Sequence, residues 1–439
     1  MAYRVGAVSL GCNKNRVDTE SALGVLREHG YLITSHPEEA DILLVNTCGF
    51  ISSAKEESIN TILDMAEYKK TGHCRLLVVT GCLAQRYEQD LLKELPEIDL
   101  LLGVNQYSQL ADLIQQAMQG KRLSSCQDDL GYFEQKRVLT TPFYSAYIRI
   151  GEGCSNRCAF CAIPLIRGPY RSRKESAVLE EIRSLAAEGV REHILVAQDT
   201  TRYGSDRQER YALSGLMRRA AEIDGVTWLR VLYCYPDETN DELLDLLADH
   251  PKICPYLDLP IQHVSPDILR RMRRRGTKED ILRCVKGAKN RNLTLRTSII
   301  VGFPGETEDQ FRELMDFVEE AEFDRLGTFM FSPEENTPAA DMPDQIPDEI
   351  KQERFDRLMT LQQKISLKNN RKRIQTEEKV LITDIHPEEQ AALARSMREV
   401  PEEDGEILLH YQGKAPEIGS FVSAKITDAG PYDLIGELL

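Results

Sequence analysis

Gly151-Glu152-Gly153-Cys154-Ser155-Asn156-Arg157-Cys158-Ala159-Phe160-Cys161 decides how the rest of this chain is read. Three cysteines stand at offsets of four and three, with an aromatic just before the last. Three thiolates are one short of the four that close an iron–sulfur site. A four-iron cluster held by three of them keeps one iron free of protein ligand. That iron is open to a small chelating substrate, as the vacant position of a catalytic metal is. Two other readings stay open at this point, a zinc knuckle and three buried free thiols. A zinc site wants a fourth Cys or His close by, and the first after Cys161 is His193.

At 439 residues the chain is too long for one ordinary core, so two or three domains are expected. No apolar run approaches the roughly 18–20 residues of a membrane span. The opening Met1-Ala2-Tyr3-Arg4-Val5-Gly6-Ala7-Val8 reads as a first strand and not as a signal peptide. Eleven cysteines without an export signal point to a reducing, cytoplasmic location, where thiols bind metal or stay free. A net charge of −16 argues against a general nucleic-acid binder, which carries a basic surface, and suits a basic partner.

The expected fold class is α/β in three parts: an open parallel sheet domain over 1–117, a central partial (β/α) barrel over 141–370 and a small β-barrel over 371–439. A polar linker, 118–140, follows the first part. In that first part apolar runs at 4–10, 42–45 and 75–80 read as strands. Residues 11–15 read as a turn, and 18–29 and 53–68 as helices. Ligands of open parallel sheets bind just beyond the carboxyl ends of strands. Cys12, Cys48 and Cys82 each follow a different strand there, beside Gly11, Gly49 and Gly81. Glycine lets the backbone crowd a bulky group. The reading is a second three-thiolate cluster; the alternative is three core cysteines packed as small hydrophobes. Cys74, Cys126, Cys234, Cys254 and Cys284 show no such placement and read as structural.

Six strand–helix units follow, with strands expected at 146–150, 193–197, 227–232, 256–261, 293–301 and 325–331. Helices are expected at 174–188, 213–223, 237–248, 266–272, 278–290 and 307–320. Serial units of this kind build a parallel barrel or part of one, with function at the carboxyl face. Gly302-Phe303-Pro304-Gly305-Glu306 closes the fifth strand; a glycine-rich turn before a helix can receive a nucleoside or carboxylate. Its alternative is a plain turn. Gln198, Asp199 and His263 also follow strands, where polar groups can orient a substrate; His263 reads equally as a hydrogen-bonded structural residue. Five arginines fall within 270–275, either a solvated helix face or a contact with ribosomal RNA or another domain. After a long charged helix at 349–373, strands are expected at 379–385, 392–396, 407–411 and 421–426. From Arg371 to Leu439 there are eight Lys and Arg against fourteen Asp and Glu, a net of −6 that repels nucleic acid.

The stretch ending in Phe160-Cys161 resembles the defining motif of the radical S-adenosylmethionine (SAM) superfamily. The three parts in this order resemble the methylthiotransferase family, over nearly the whole chain. Ser9-Leu10-Gly11-Cys12-Asn13-Lys14-Asn15-Arg16-Val17-Asp18, Asn46-Thr47-Cys48-Gly49-Phe50-Ile51, Gln198-Asp199-Thr200 and Leu259-Pro260-Ile261-Gln262-His263 are similar to its RimO-type branch. That branch modifies an aspartate of small-subunit ribosomal protein twelve; the other main branch modifies an adenosine of tRNA. The resemblance implies two 4Fe-4S clusters, with SAM cleaved to a 5'-deoxyadenosyl radical at the one on Cys154, Cys158 and Cys161. The cluster on Cys12, Cys48 and Cys82 would hold a sulfur that is methylated by a second SAM. The radical would take a hydrogen from the β-carbon of the aspartate. It also implies SAM contacts at Gly168, Gly302, Pro304, Gly305 and Glu306, a C-terminal TRAM domain and an electron donor such as a flavodoxin or ferredoxin. A direct tRNA substrate is not expected. A tRNA methylthiotransferase is the nearest rival, and a non-catalytic iron–sulfur sensor on the ribosome is a rival of another class.

Overall fold

The structure, a computed structural model, describes residues 3–127, 134 and 136–439. The chain divides into two compact units. One comprises Met1–Leu185 with Leu195–Gln198 and Ser332–Ala340; the other comprises Ala186–Ile194, Asp199–Phe331 and Asp341–Leu439.

The first unit carries a six-stranded sheet: β1 (Arg4–Ser9), β2 (Leu32–Ile33), β3 (Ile42–Thr47), β4 (Leu76–Gly81), β5 (Leu100–Leu102) and β6 (Leu123–Ser125). The order is β2-β1-β3-β4-β5-β6, and every pairing is parallel. β3 and β4 are buried along their whole length, the pattern of unbroken apolar runs sandwiched between helices. Alternate residues serve opposite faces. Ile42, Leu44 and Val78 pack with Leu26 and Ile114 on one side. Leu43, Val45 and Val79 pack with Ile62 and Ala66 on the other. The strand order turns back between β1 and β3, a topological switch point where open α/β sheets place their ligands.

Three local expectations are corrected here. Residues 13–15, read as a turn, begin the helix Asn13–Glu28, with Cys12 as its N-cap. The stretch 118–140, read as a linker, contributes β6, which completes the sheet; its residues 128–133 and 135 lie outside the described residues. Cys126, read as having no special placement, directly follows β6 at the same sheet edge as Cys12, Cys48 and Cys82. Its thiol donates to the Ala84 carbonyl at 3.6 Å, and burial pushes its pKa up to about 12. The short edge pairing of β6 rests on tertiary contact alone, which periodicity does not report.

Later in this unit β7 (Ser145–Arg149) leads into β8 (Gly151–Glu152), which pairs antiparallel with β9 (Arg171–Ser172). Ile150 N–H donates to the Val196 carbonyl at 2.9 Å, at the end of β10 (Glu192–Val196), a strand whose residues fall in both units.

In the second unit come β11 (Trp228–Val231), β12 (Tyr256–Asp258), β13 (Thr294–Val301) and β14 (Arg325–Met330). The last three form a parallel sheet in that order. The helix expected at 237–248 starts later, as Asp241–Asp249, because the Asn240 side chain accepts from Leu243 N–H at 2.9 Å and caps it there. The long helix is Asp348–Arg371. The C-terminal barrel is closed and has five strands, not four: β15 (Glu377–His386), β16 (Ala391–Ser396), β17 (Ile407–His410), β18 (Phe421–Ala429) and β19 (Leu434–Leu438). β19 seals the barrel by pairing parallel with β17 and antiparallel with β18.

Buried ion pairs join this barrel to the strands of its own unit. Arg395 reaches Glu192 at 2.8 Å, Glu192 also pairs with Arg230, and Arg325 reaches Glu399. Trp228 packs edge-on against Phe421, ring centres 4.8 Å apart. Burial alone pushes the Glu399 carboxyl up, but Arg373, Arg325 and the Ser396 hydroxyl outweigh it and hold it at about 2, below its ordinary 4.5. A carboxyl depressed on folding adds stability above its unfolded pKa and loses it as pH falls through the folded one. Stability against pH should therefore drop between about 4.5 and about 2, and Glu399→Gln should flatten that slope. Thermal unfolding across this range checks it; equal slopes in both proteins contradict the assignment.

Candidate functional site

The three cysteine loops of the N-terminal sheet are tied together by Asn15. Its amide nitrogen donates to the carbonyls of Leu10 and Thr47, both at 3.0 Å, just ahead of Cys12 and Cys48. Its amide oxygen lies 3.5 Å from Cys82 Sγ. Asn46 donates in turn to the Asn15 carbonyl at 2.7 Å, fixing the helix against β3. The neighbouring glycines serve this crowding. A Cβ on Gly11 would lie 2.9 Å from Cys48 Sγ, and one on Gly81 would lie 2.2 Å from Asn46 Oδ1. Both have positive φ, +83° and +100°, where only glycine rests without strain. What approaches these glycines is the adjoining loop, so they let the three loops close on one another.

The other triad hangs from the β8–β9 pair. Cys154 N–H donates to the Gly168 carbonyl and Cys161 N–H to the Cys158 carbonyl, at 3.0 and 3.1 Å. Gly168 ends the short helix Ile163–Arg167. Ala162 and Ile166 pack on Cys82 and Val104, so the loop after Cys161 rests against the first triad.

Between the triads lies a buried quartet of charges that sequence reasoning missed. Asp18, Arg149, Glu152 and Arg167 are 0, 4, 1 and 2 % exposed. Arg149 pairs with Asp18, and with Glu152 at 2.7 Å. Arg167 pairs with Asp18 at 2.8 Å and Glu152 at 3.0 Å. Arg167 Nη2 also donates to Asn15 Oδ1 at 2.6 Å and to Cys82 Sγ at 3.5 Å. Burial opposes ionisation of Glu152, yet the two guanidiniums hold its carboxyl at about 2. One signal was legible: Asp18 shares a helix face with Asn15 and the core residue Ala22, an odd place for a charge without a partner. A second tie is Glu334, buried between Lys55 and Arg86, both at 2.9 Å. Arg86 also donates to the Gly49 carbonyl at 3.0 Å, and Ala339 N–H to the Ala159 carbonyl at 2.9 Å. Residues 332–340 thus touch both cysteine regions.

None of the eleven cysteines is joined in a disulfide. Burial pushes Cys82 up to about 12, with Arg167 pulling against it, and burial also raises Cys48. Such thiols stay protonated until a metal displaces the proton. Among the described residues no three His, Cys, Asp or Glu side chains are gathered as ligands of a single metal ion are. Thiolates of a polynuclear cluster each take a separate iron and stand further apart. The donor sets fit that group: each triad is all sulfur, and Cys12 and Cys48 flank the switch point of the sheet.

The remaining residues singled out from sequence are placed less openly. Gln198 donates to Glu152 Oε1 at 3.0 Å, and its own Oε1 is buried without a hydrogen-bond partner. In the second unit Asp199 is buried, accepting from the Thr201 hydroxyl at 2.7 Å and from Arg275 at 3.3 Å. His263 and Glu306 are both buried, with Nε2 3.6 Å from Oε1. His263 Nδ1 accepts from Ser265 N–H at 3.0 Å, and Glu306 accepts from Phe303 N–H at 3.1 Å and from Gly302 N–H. His263 Nε2 and Glu306 Oε1 are buried without hydrogen-bond partners, while Glu306 Oε2 braces the Gly302–Glu306 turn, with Pro304 buried inside it. A Cβ on Gly302 would meet Lys351 at 2.3 Å, and one on Gly305 would meet Arg271 at 2.0 Å. The arginine run is therefore neither a solvated face nor a free contact surface as a whole. Arg271 lies on Gly305, Arg274 stacks 3.9 Å over the Tyr235 ring, and Arg275 pairs with Asp237 at 3.2 Å.

Comparison with known proteins agrees with this organisation. Residues 148–318 match the radical SAM superfamily, 4–103 match the family described as uncharacterized protein family UPF0004, and 375–439 match the TRAM domain. In fold the chain is similar to the radical SAM methyltransferase TsrM of Kitasatospora setae, at TM-score 0.56 and 16 % identity over 77 % of each chain. The class defined by fold and sequence is thus a radical SAM protein with an N-terminal UPF0004 part and a TRAM barrel. Within it, the ribosomal protein uS12 methylthiotransferase RimO of Desulforamulus reducens is 48 % identical over 99 % of both chains. That of Geobacter sulfurreducens is 48 % identical over 99 % of this chain and 98 % of its own. The chain belongs to the RimO family of ribosomal protein uS12 methylthiotransferases.

Proposed function

We propose that this protein is a radical SAM methylthiotransferase that places a methylthio group on the β-carbon of an aspartate of ribosomal protein uS12. The observation that carries the reading is that two all-sulfur triads lie in one compact unit, with Ala162, Ile166 and Arg167, just after Cys161, packing on or donating to Cys82. Cys154, Cys158 and Cys161 hold the cluster that binds SAM, and Cys12, Cys48 and Cys82 hold the other. Bound there, the two clusters and SAM supply the 5'-deoxyadenosyl radical and the methylated sulfur, because an unactivated C–H bond yields only to radical chemistry. The chain's own part is to keep the triads adjacent and the space between them dry. Apolar Ala162 and Ile166, packed on Cys82, serve this, since a radical exposed to solvent or loose side chains is quenched. Gly168 orients the Cys154 loop through its carbonyl, and Gln198 keeps one buried acceptor for a donor on the ligand. Glu306 braces the turn 302–306 by accepting from the Gly302 and Phe303 N–H groups.

The C-terminal barrel supports a protein substrate. Its buried charges are paired, and its surface keeps Asp384, Glu388, Glu389, Glu417, Asp428 and Glu437 exposed. Acidic surface steers a basic ribosomal protein and repels RNA. Among the described residues no helix is long and apolar enough to cross a membrane. The reading adds a cytoplasmic setting and a small electron donor of flavodoxin or ferredoxin type.

The test is incubation of the reconstituted, reduced enzyme with SAM, sulfide and uS12. Mass spectrometry should find one methylthio group in place of hydrogen on an aspartate. A modified adenosine in tRNA with unmodified uS12 would replace this reading with the tRNA one. Absence of SAM cleavage would replace it with a non-catalytic sensor.

A further inference from the structure

We propose that Arg167 is a positioning and charge-balancing residue for the cluster of the N-terminal triad, donating to the Cys82 sulfur and raising that cluster's reduction potential. The inference rests on the reading that Cys12, Cys48 and Cys82 hold a cluster.

Arg167 follows Cys161 by six residues, yet its guanidinium is spent on the other triad. Nη1 takes Glu152, and Nη2 turns its two hydrogens toward three acceptors: Asn15 Oδ1, Asp18 Oδ2 and Cys82 Sγ. Here Cys82 Sγ, a thiol, stands in for the iron-bound thiolate. Ligation removes the thiol proton now facing Asn15 Oδ1 and leaves a stronger, anionic acceptor for the Arg167 hydrogens. The quartet of Asp18, Arg149, Glu152 and Arg167 is neutral by itself. Loading the triad adds negative charge next to the Arg167 guanidinium, in a buried place where charge interacts strongly. Hydrogen bonds to cluster sulfurs and nearby positive charge favour the reduced, more negative state. A planar fork on a short, buried tether delivers both at once; a lysine would keep the charge and lose the fork. The competing account makes Arg167 only a tie between the Asn13–Glu28 helix and the 153–170 loop, with no bearing on redox.

The two accounts separate in the full-length chain carrying Cys154→Ala, Cys158→Ala and Cys161→Ala, so that iron can sit only at the first triad. Iron content and the midpoint potential, followed by electron paramagnetic resonance, are compared with and without Arg167→Gln or Arg167→Lys. Arg167→Gln should shift the reduction equilibrium at least tenfold toward the oxidised cluster, 59 mV for one electron. Arg167→Lys should shift it less, in the same direction. Potentials unchanged at equal iron content overturn the proposal. Should the Gln variant fail to hold iron, the Lys variant decides alone: a lowered potential supports the proposal and an unchanged one overturns it. If the background chain with native Arg167 holds no iron, the reading of the first triad is itself wrong and the proposal falls with it.

Discussion

Cys154→Ala will abolish SAM cleavage, whereas Cys48→Ala will leave cleavage intact and stop methylthio transfer. Each variant should keep about four of the about eight irons that two four-iron clusters bring. The asymmetry follows from placement. Cys154 N–H is bonded to Gly168, and its loop hangs from the β8–β9 pair, which the N-terminal sheet does not build. Cys48 sits beyond β3, anchored by Ser58, whose hydroxyl and Cys48 exchange hydrogen bonds at 3.0 Å. Alanine keeps either backbone and removes one iron ligand, and a cluster left with two thiolates is lost. The loss of product should be complete in both cases, for different reasons. SAM cleavage without substrate, product mass and iron per chain separate them. Continued methylthiolation by the Cys48 variant would remove the first triad from the reaction.

Asp18→Ala should destabilise the first unit by roughly 3–5 kcal/mol, the cost of leaving a buried cation without its partner. Asp18 is fully buried and faces both Arg149 and Arg167. Removing it leaves two guanidiniums competing for Glu152 in a dry site, while the small cavity adds to the cost. Because Asp18 lies on the helix that begins at Cys12, the same change should loosen the first triad and lower its iron content. The measurement is the urea midpoint of the metal-free chain together with iron retained after reconstitution. A midpoint within error of the parent would show that the quartet carries no net weight.

Much of the architecture was legible because strong local patterns wrote it. The unbroken apolar runs of β3 and β4 and the serial strand–helix spacing of the middle region each state their element type without outside help. The elements that escaped were short and supported from elsewhere. β6 and β19 have three and five residues and exist because a neighbouring strand pairs with them. Within 11–15 the polar residues read as a turn, whereas Asn13, Lys14 and Asn15 form the buried first turn of a helix. His263, Asp199 and Glu306 had the right address after strands, but sequence could not say whether such groups face a ligand or one another.

By itself the chain's order of residues singled out the two cysteine triads: spacing over a few positions, and glycine beside each strand-end cysteine, are local properties. Only the tertiary structure decided what lies between the two triads. Asp18 reaches Arg149 and Arg167 across 131 and 149 residues of sequence. No periodicity carries over such a distance; the pairing arises because a buried charge must find its opposite wherever the fold has brought one.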